Sequence, residues 1–454
     1  MDQQAGLINS AGLDQDTIAA VATPPGKGGV AIIRLSGSRA REIAQCLCMR
    51  NIEVRTPTLC TFKHENTVID QGLVLLFQGP NSFTGEDVAE LHCHGGVVIT
   101  TMLLEVCHAL GARMARPGEF SERAFMNNKL DLAQAEGLAD LIDAPTRQAA
   151  RQAAASLRGA FSEAVNALGN DLLRLRMYIE AAIDFPEEEV DFLSDERIQL
   201  KPSSTLATLN NLITDARQGA LMSKTAKIVL TGKPNVGKSS LMNRLARESV
   251  AIVTDVPGTT RDVVKQAINM GGLAFEFADT AGIRESADVI EREGIERARR
   301  EMDTADLIIR VVDDTEAHES EREHIDNAAP EIQVLNKIDL SQRAAGALPG
   351  SQIVAVSAVT GEGIDALEAA ILAALGRSTD TATTPFSARE RHVSILMTTQ
   401  EILQNGIDRF NESGAGEILA EDLRMAHNNL GEITGVVRAD DLLGEIFSSF
   451  CIGK

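Results

Sequence analysis

The sequence predicts a multidomain protein, α/β at its N-terminal end and all-α further on, with a second α/β unit set inside the helices. Three observations predict it. Short apolar runs alternate with turns from Asp16 to about Asn128. A strand, glycine loop and helix follow one another mid-chain, from Lys227 to Leu245. Helix-period apolar stripes lie on both sides of that signature. At roughly 150 residues per domain, the 454 residues accommodate about three domains.

In the N-terminal part, Thr17 to Thr23 reads as a first strand and Val30 to Leu35 as a second. The proline- and glycine-rich turn Pro24 to Gly29 joins them. Within it, Lys27-Gly28-Gly29 lacks the GK[ST] ending of a phosphate loop and reads as a plain turn. A helix is expected around Arg39 to Leu47, strands at Thr58 to Lys63 and Gly72 to Phe77, and a helix at Val97 to Leu110. Two polar, turn-rich segments are expected to do more than fill a core: Pro80 through Gly96, and Arg116 through Lys129. His92, Cys93 and His94 raise the question of zinc. Such a site takes four ligands, and no second suitably spaced pair supplies them. A glycine turn flanked by solvated or hydrogen-bonded histidines is the expectation.

From Leu130 the pattern is helical. Leu157, Phe161, Val165, Leu168, Leu172, Leu175 and Ile179 recur at spacings of three or four and predict one long amphipathic helix. Pro186 and the acidic run Glu187-Glu188-Glu189 end it. Leu206, Leu209, Leu212 and Ile213 mark another helix, ending near Gly219. After the mid-chain unit comes a polar linker, Arg377 to Pro385, and helical patterns resume at Val393 to Phe410, Gly416 to Leu430 and Asp440 to Phe450. Short helix sets bury little core on their own. One helical domain interrupted by the mid-chain unit is therefore expected, with two separate helical domains as the alternative.

That unit is organised by Gly232-Lys233-Pro234-Asn235-Val236-Gly237-Lys238-Ser239, after the apolar strand Lys227 to Thr231 and before the helix Ser240 to Leu245. The full GxxxxGKS pattern in a strand–loop–helix context is a phosphate-binding loop. Its glycines let backbone N–H groups turn inward around a triphosphate, and the helix N-terminus adds partial positive charge. Lys238 reaches the β- and γ-phosphates and Ser239 ligates Mg²⁺. Four further stretches select GTP. Asp279-Thr280-Ala281-Gly282 follows the strand Leu273 to Ala278. Asp279 suits a water-mediated hold on Mg²⁺, and the Gly282 N–H senses the γ-phosphate. Asn336-Lys337-Ile338-Asp339 follows the strand Ile332 to Leu335. A carboxylate at Asp339 accepts both N1–H and the exocyclic amine of guanine, a donor pair adenine lacks. Val356-Ser357-Ala358 matches a loop that closes on guanine O6 through backbone N–H. Gly258-Thr259-Thr260-Arg261-Asp262 sits where a switch loop belongs, and Thr260 completes the Mg²⁺ shell. Five motifs in this order predict a P-loop, Ras-like G domain.

Two catalytic parts stay open on this reading. Ile283 follows Gly282, where Ras-type enzymes place a glutamine that orients the attacking water. Glu285, Asp288, Glu291 and Glu293 stand downstream as candidates for that task. The charge of an arginine finger is also unassigned, and Asn235 is a candidate ligand for a monovalent cation in its place.

Composition narrows the function classes. With 44% hydrophobic and 24% charged residues the chain is that of a soluble globular protein. No apolar run approaches the ~20 residues of a membrane span. Met1 to Ala5 show no basic-then-apolar leader. Six scattered cysteines without paired spacing suit a reducing cytoplasm. A net charge of −22 opposes indiscriminate nucleic-acid binding, and one tyrosine without tryptophan opposes extensive base-stacking platforms.

With these residues in view, the chain resembles the tRNA-modification GTPases of the MnmE (TrmE) family from about Asp16 to Lys454. The most diagnostic piece is Phe450-Cys451-Ile452-Gly453-Lys454, together with the inserted G domain. Supporting pieces are Ala22 to Gly29, Ser82-Phe83-Thr84-Gly85-Glu86-Asp87 and Arg116-Pro117-Gly118-Glu119-Phe120. The resemblance implies an N-terminal α/β folate-binding and dimerisation domain over 1–128, a helical domain over 129–222 and 379–454, and an inserted G domain over 223–378. It implies contacts to a formyl- or methylene-tetrahydrofolate from Arg34, Glu90, Lys129 and Lys454. Charge agrees in part, since basic side chains pair with the folate carboxylates. It implies GTP contacts from Asn235, Val236, Gly237, Lys238, Ser239 and Ser240. Further GTP contacts come from Thr254, Asp255, Val256, Pro257, Gly258, Thr259 and Thr260, from Asp279, Thr280, Ala281 and Gly282, and from Asn336, Lys337, Asp339, Ser357 and Ala358. It gives Asn235 to potassium, with oxygens of Thr254, Val256 and Thr259, and lets potassium replace the arginine finger in a G-domain dimer. It makes Glu291 the residue that orients water through a second water, and Cys451 the cysteine of the modification step.

The implied reaction installs an aminomethyl-type (carboxymethylaminomethyl) group at C5 of the wobble uridine of certain tRNAs. The implied assembly is a homodimer that joins a flavin- and NADH-using protein of the MnmG (GidA) family in a heterotetramer. Folate donates the carbon, and glycine or ammonium the amine. The expected location is the cytoplasm. Two departures stand out. Val359 follows Ser357-Ala358 where many GTPases have lysine, and Cys46, Cys48 and Cys60 match no motif. The competing reading is a regulatory or ribosome-assembly GTPase switch without folate chemistry; the folate residues and Cys451 discriminate the two.

Overall fold

The computed structural model describes residues 16–24, 26–65, 67–184, 196–248, 267–271, 273–279, 302–316, 329–376, 384–436, 440–450 and 453. The chain divides into two compact units, 1–136 with 434–454, and 137–433. The segment 379–454 is thus shared between them.

The first unit is a six-stranded sheet in the order β3-β4-β5-β2-β1-β6. Its strands are β1 Thr17–Val21, β2 Gly28–Ser36, β3 Thr58–His64, β4 Thr67–Phe77, β5 Val88–Gly95 and β6 Ala112–Met114. All neighbours are antiparallel except β1 and β6. The helices α1 Ala40–Cys48 and α2 Val97–Ala109 belong to this unit. Its core is built from Ile33, Leu35, Val74, Leu76, Leu91 and Cys93 with Ile43, Leu47 and Leu103, all buried.

Two expectations are corrected here. Pro80 to Gly96 is turn-rich only in its first half, because Val88–Gly95 forms β5, inside the sheet between β4 and β2. Its residues alternate: Ala89, Leu91 and Cys93 are buried, and Glu90, His92 and His94 lie on the opposite face. A strand therefore puts Cys93 away from the two histidines. His94 Nδ1 instead meets Asp70 Oδ1 at 2.7 Å. Among the described residues no group of three or more His, Cys, Asp or Glu is placed to hold a metal. Likewise Arg116 to Lys129 contains a helix, α3 Glu119–Met126.

Charge inside this unit comes from far apart in the chain. Arg123 donates to Asp16 Oδ1 at 2.8 Å, to Glu119 Oε1 at 3.0 Å and to Glu86 Oε2 at 3.1 Å. Arg113 holds both Glu119 oxygens, at 2.6 and 2.8 Å. Ser36 and Thr84 extend the network to Glu86. Burial alone pushes the Glu119 carboxyl up; the Arg113 side chain, the Arg116 N–H and Arg123 outweigh it and leave it at about 2. Cys48 and Cys60 also meet in this unit, 2.8 Å apart, while Cys46 is exposed.

The second unit combines helices with a seven-stranded sheet in the order β12-β13-β11-β10-β7-β9-β8. These strands are β7 Thr225–Thr231, β8 Ala267–Met270, β9 Leu273–Asp279, β10 Leu307–Asp313, β11 Glu331–Asn336, β12 Gly346–Ala347 and β13 Ile353–Ala355. The five inner strands are parallel and the edge strands β8 and β12 run against them. Near-continuous apolar runs such as Leu307 to Val312 suit strands covered on both faces. The helices α4 Leu132–Asp143, α5 Arg147–Leu157, α6 Ala160–Asp184 and α7 Glu196–Ser223 precede the sheet, and α8 Lys238–Glu248 follows its first strand. Later helices of this unit are α9 Ile338–Ser341, α10 Ile364–Ala374, α11 Glu390–Ser413 and α12 Gly416–Thr434, whereas α13 Asp440–Ser448 belongs to the first unit.

The predicted stripe is buried from Phe161 to Ile179 on α6. It is not one helix with Leu157, because Gly159, at φ +100°, breaks the chain between α5 and α6. The helix after it is longer than the apolar pattern indicated and carries Pro202 inside.

Segments before and after the seven-stranded sheet interlock. Gln152 Nε2 donates to Thr384 O at 3.2 Å, Ser156 Oγ to Ser387 O at 2.9 Å and Arg389 Nη2 to Asp140 Oδ1 at 2.7 Å. Phe161 stacks on Phe386 at 4.8 Å between ring centroids. Ser223 Oγ donates to Ala388 O at 3.3 Å, where α7 hands over to β7. Gly219 is pressed so closely here that a Cβ would lie 2.8 Å from Phe386 O. The sheet is thus an insertion into a helical scaffold, as its flanking stripes indicated.

Candidate functional site

Parallel strands bring their C-terminal ends to one edge, and in open α/β sheets ligands bind there, where the strand order reverses. β7 is that reversal: β9 lies on one side of it and β10 on the other. The registers Leu230 with Asp279 and Asp313 with Asn336 align the motif-bearing ends.

The phosphate loop leaves β7 and turns through Asn235, which takes a left-handed φ of 64°, into α8. Lys238, the first residue of α8, is buried. Its Nζ donates to Gly232 O at 2.6 Å and to Lys233 O at 2.8 Å. The ammonium therefore lies inside its own loop, where phosphate oxygens compete for it. Ser239 follows at the exposed start of the helix. Its hydroxyl is the hard oxygen donor that Mg²⁺ prefers.

Asn336 ties the phosphate side to the base side. It is buried; its Nδ2 donates to Val236 O in the phosphate loop at 2.8 Å, and its Oδ1 accepts from Ala358 N at 3.0 Å. Asp339, exposed on the short α9, accepts from Ser357 Oγ at 2.7 Å. Lys238 and Asp339 thus belong to one bonded neighbourhood. Within the loop 356–358, expected to close on guanine O6 through backbone N–H, the Ala358 N–H is engaged by Asn336.

A pair of aspartates supports this edge, and the motifs did not point to it. Asp313 Oδ2 pairs with Lys337 Nζ at 2.5 Å. Burial raises the Asp313 carboxyl, and Lys337 and Thr315 more than offset that, holding it below its ordinary value. Asp314 is buried, with both oxygens 2.9 Å from Arg343 Nε, and it also accepts from Ser341 Oγ. The available signal was a strand ending in Asp313, followed by Asp314, beside the strand that ends in Asn336. Arg244 of α8 reaches the same edge, donating to Ala358 O at 3.2 Å.

Other predicted residues lie outside what is described. They are Thr254, Asp255, Val256, Pro257, Gly258, Thr259 and Thr260, then Thr280, Ala281, Gly282 and Glu291, and finally Cys451 and Lys454. Only the backbone of Asp279 is described, as the last residue of β9. Val236 and Gly237 lie in the loop and Ser240 in α8.

In the first unit, Arg34 and Glu90 face each other across β2 and β5, with Nε and Nη2 at 3.0 and 2.9 Å from Glu90 Oε1. The Arg34 guanidinium lies 5.5 Å from the Phe83 ring centroid and 5.8 Å from that of Phe120. Phe83 belongs to the loop that Lys129 Nζ holds by donating to Pro80 O at 3.0 Å. Arg34, Glu90, Phe83 and Lys129, from β2, β5 and the segments 80–87 and 127–129, are thus brought to one side of this unit by contacts through Arg34 and Pro80. Gly453, between Cys451 and Lys454, is buried at the end of β1, where a Cβ would come 2.4 Å from Val21 O.

Comparison with known proteins decides the family. Residues 17–129 match the family model described as the GTP-binding protein TrmE N-terminus, and residues 132–451 match the MnmE helical domain. The chain is 47% identical over 452 residues to the tRNA modification GTPase MnmE of Ectopseudomonas mendocina (strain ymp), covering 97% of this chain and 99% of that relative. This chain belongs to the tRNA-modification GTPase MnmE (TrmE) family. As an MnmE-family protein it is a GTP hydrolase of tRNA modification.

Among solved structures, a tyrosine-to-alanine variant of Aquifex aeolicus Era bound to GDP·AlF4− is 28% identical over 39% of this chain and 67% of its own, with a TM-score of 0.26. The FeoB G domain of Methanococcus jannaschii is 27% identical, with coverages of 34% and 99% and a TM-score of 0.24. The MnmE assignment rests on the sequence matches. Among the described residues no helix is long and apolar enough to cross a membrane.

Proposed function

We propose that this chain is a potassium-stimulated GTPase acting with a flavin-dependent partner of the MnmG (GidA) family. Together they add an aminomethyl-type (carboxymethylaminomethyl) group at C5 of the wobble uridine of certain tRNAs. The observation that carries this reading is the reach of the likeness, 97% of this chain and 99% of the relative. A bare GTPase switch needs only the nucleotide unit, whereas here the N-terminal segment with Arg34, Glu90 and Lys129 is matched as well.

In this reading Asp339 accepts N1–H and the exocyclic amine of guanine while Ser357 steadies it. Lys238 exchanges its two loop carbonyls for phosphate oxygens. Preorganised donors of this kind stabilise charge as it develops. Ser239 and Thr260 hold Mg²⁺, which neutralises phosphate charge. Asn235, Thr254, Val256 and Thr259 hold K⁺, which supplies the charge of an arginine finger. Glu291 orients the attacking water. Arg34, Glu90, Lys129 and Lys454 bind the reduced folate in a homodimeric N-terminal domain, and Cys451 serves the modification step. The assembly works in the cytoplasm. Its GTPase cycle opens and closes the G domains and so gates the modification site.

The test is mass analysis of tRNA wobble nucleosides in cells lacking this protein. Loss of the modified uridine, restored by the intact gene but not by Glu291→Ala, is expected. An unchanged wobble nucleoside defeats the proposal. In vitro, turnover in KCl should exceed that in NaCl at equal ionic strength; equal rates would remove Asn235 from its cation role.

A further inference from the structure

Val359 leaves the guanine-side loop without the lysine that follows Ser-Ala in many GTPases, and its side chain is 73% exposed. The loop is nonetheless tied down from another element. Arg244, half-buried on α8, donates through Nε to Ala358 O at 3.2 Å and through Nη2 to Val359 O. One guanidinium therefore forks onto two consecutive carbonyls, a pattern its planar donors suit and a point charge does not. In a trans peptide the C=O and the next N–H point in opposite directions. Turning Ala358 O toward Arg244 thus turns the Val359 N–H away from it. On the other flank Asn336 Oδ1 takes the Ala358 N–H at 3.0 Å, and Ser357 Oγ bonds Asp339 at 2.7 Å. The loop is held by its carbonyls from α8 and by its amide from the strand end that carries the base-reading motif.

We propose that Arg244 is a positioning residue for guanine recognition. It fixes the backbone of residues 357–359 before nucleotide arrives, so that ordering the loop is not charged against binding. It also ties the base loop to the helix that begins with Lys238 and Ser239, joining the two ends of the nucleotide site through one element. Arg244 itself does not touch nucleotide. The inference rests on the GTP-hydrolase assignment of the family and deepens it.

The experiment uses the full-length chain, unaltered and as R244A, R244Q and R244K. It measures dissociation of a fluorescent GDP analogue, and kcat and KM for GTP and ATP. Losing two charge-assisted bonds at a half-buried position should raise the dissociation rate and KM for GTP about five- to tenfold in R244A, with the larger part of the effect on KM. R244Q, which keeps one donor at similar reach, and R244K, which keeps the charge, should lie in between. The preference for GTP over ATP should fall in parallel, whereas general damage to the fold lowers both turnovers in proportion. Unchanged dissociation and KM in R244A overturn the role, as does a loss confined to kcat. If R244A does not fold, wild-type rates in both R244Q and R244K overturn it equally. Failure of the unaltered chain to bind guanine nucleotide would sink the hydrolase assignment and this role together; normal binding with indifferent variants sinks the role alone.

Discussion

The guanine-side edge of the nucleotide unit and the charged interior of the N-terminal unit both depend on carboxylates held by donors, but they are assembled from opposite materials. At the guanine edge Asn336, Asp339 and Ser357 arrive within short motifs at strand ends, and each bond joins neighbours brought together by the parallel sheet. In the N-terminal unit Asp16, Glu86, Arg113, Glu119 and Arg123 come from separate elements, with Arg123 reaching across 107 positions to Asp16. The first arrangement leaves Asp339 exposed for a ligand. The second encloses Glu119 and Arg123, with side chains 2% and 6% exposed, and leaves little for a ligand to do. The exposed Asp339 is available to a ligand, and the enclosed Glu119 serves the fold.

The largest effect expected from breaking this contrast is at Arg123. Arg123→Met leaves Glu119 to Arg113 and the Arg116 N–H and takes the guanidinium from Glu86 and Asp16; removing one partner of a buried pair costs about 3–5 kcal/mol. Urea unfolding followed by hydrogen exchange in β1 and α3 measures it; a loss below about 1 kcal/mol would mean that the network is solvated after all. Next comes Lys238→Ala, which should lower kcat/KM for GTP by about 10²- to 10³-fold, as for other preorganised donors, while the melting temperature of the N-terminal unit stays unchanged. Asp339→Asn should then exchange base preference. Its amide donates to the C2 carbonyl of xanthine and leaves the guanine amine unpaired, so XTP should overtake GTP with a GTP loss of roughly 10²-fold. Steady-state kinetics with the two nucleotides decide it.

Acidity sharpens the same contrast. Glu119 is depressed to about 2 in the folded state, below an unfolded value of about 4.3. The stability it contributes is present above that unfolded value and is lost as pH falls through about 4.3 toward about 2. The N-terminal unit should therefore loosen in this window, and Glu119→Gln should flatten that part of the pH–stability curve. The smallest expected effect on folding is at Lys129, whose exposed ammonium makes a single bond to Pro80 O. Lys129→Ala should cost less than about 1 kcal/mol yet weaken reduced-folate binding measured by calorimetry. Undiminished folate binding would place the ligand elsewhere.

How legible each region was in the sequence follows from the same distinction. Lys238, Asn336, Asp339 and Ser357 could be read because spacing along the chain fixes their place at one sheet edge. The stripe on α6 could be read because its period is local. β5 was obscured: its inward residues Ala89, Leu91 and Cys93 do alternate, but two histidines and the following Gly95-Gly96 give the composition of a turn. Leu157 fits the period of α6, and only the left-handed Gly159 separates them. The Arg123 network, the Arg34–Glu90 pair 56 positions apart and the grip of Arg244 on the base loop are contacts of tertiary origin. No local pattern announces them, since each residue alone has the composition of a surface charge.

The hydrogen bond from Ser223 to Ala388, with the backbone of Gly219 pressed on Phe386, puts the two crossings of the polypeptide within bonding distance. Thr384 also meets Met222, so everything from 224 to 383 departs and returns through a single doorway, like a cassette in a slot. A few glycines would bridge that gap, so the nucleotide unit can be cut out or grafted elsewhere without rethreading the helices around it.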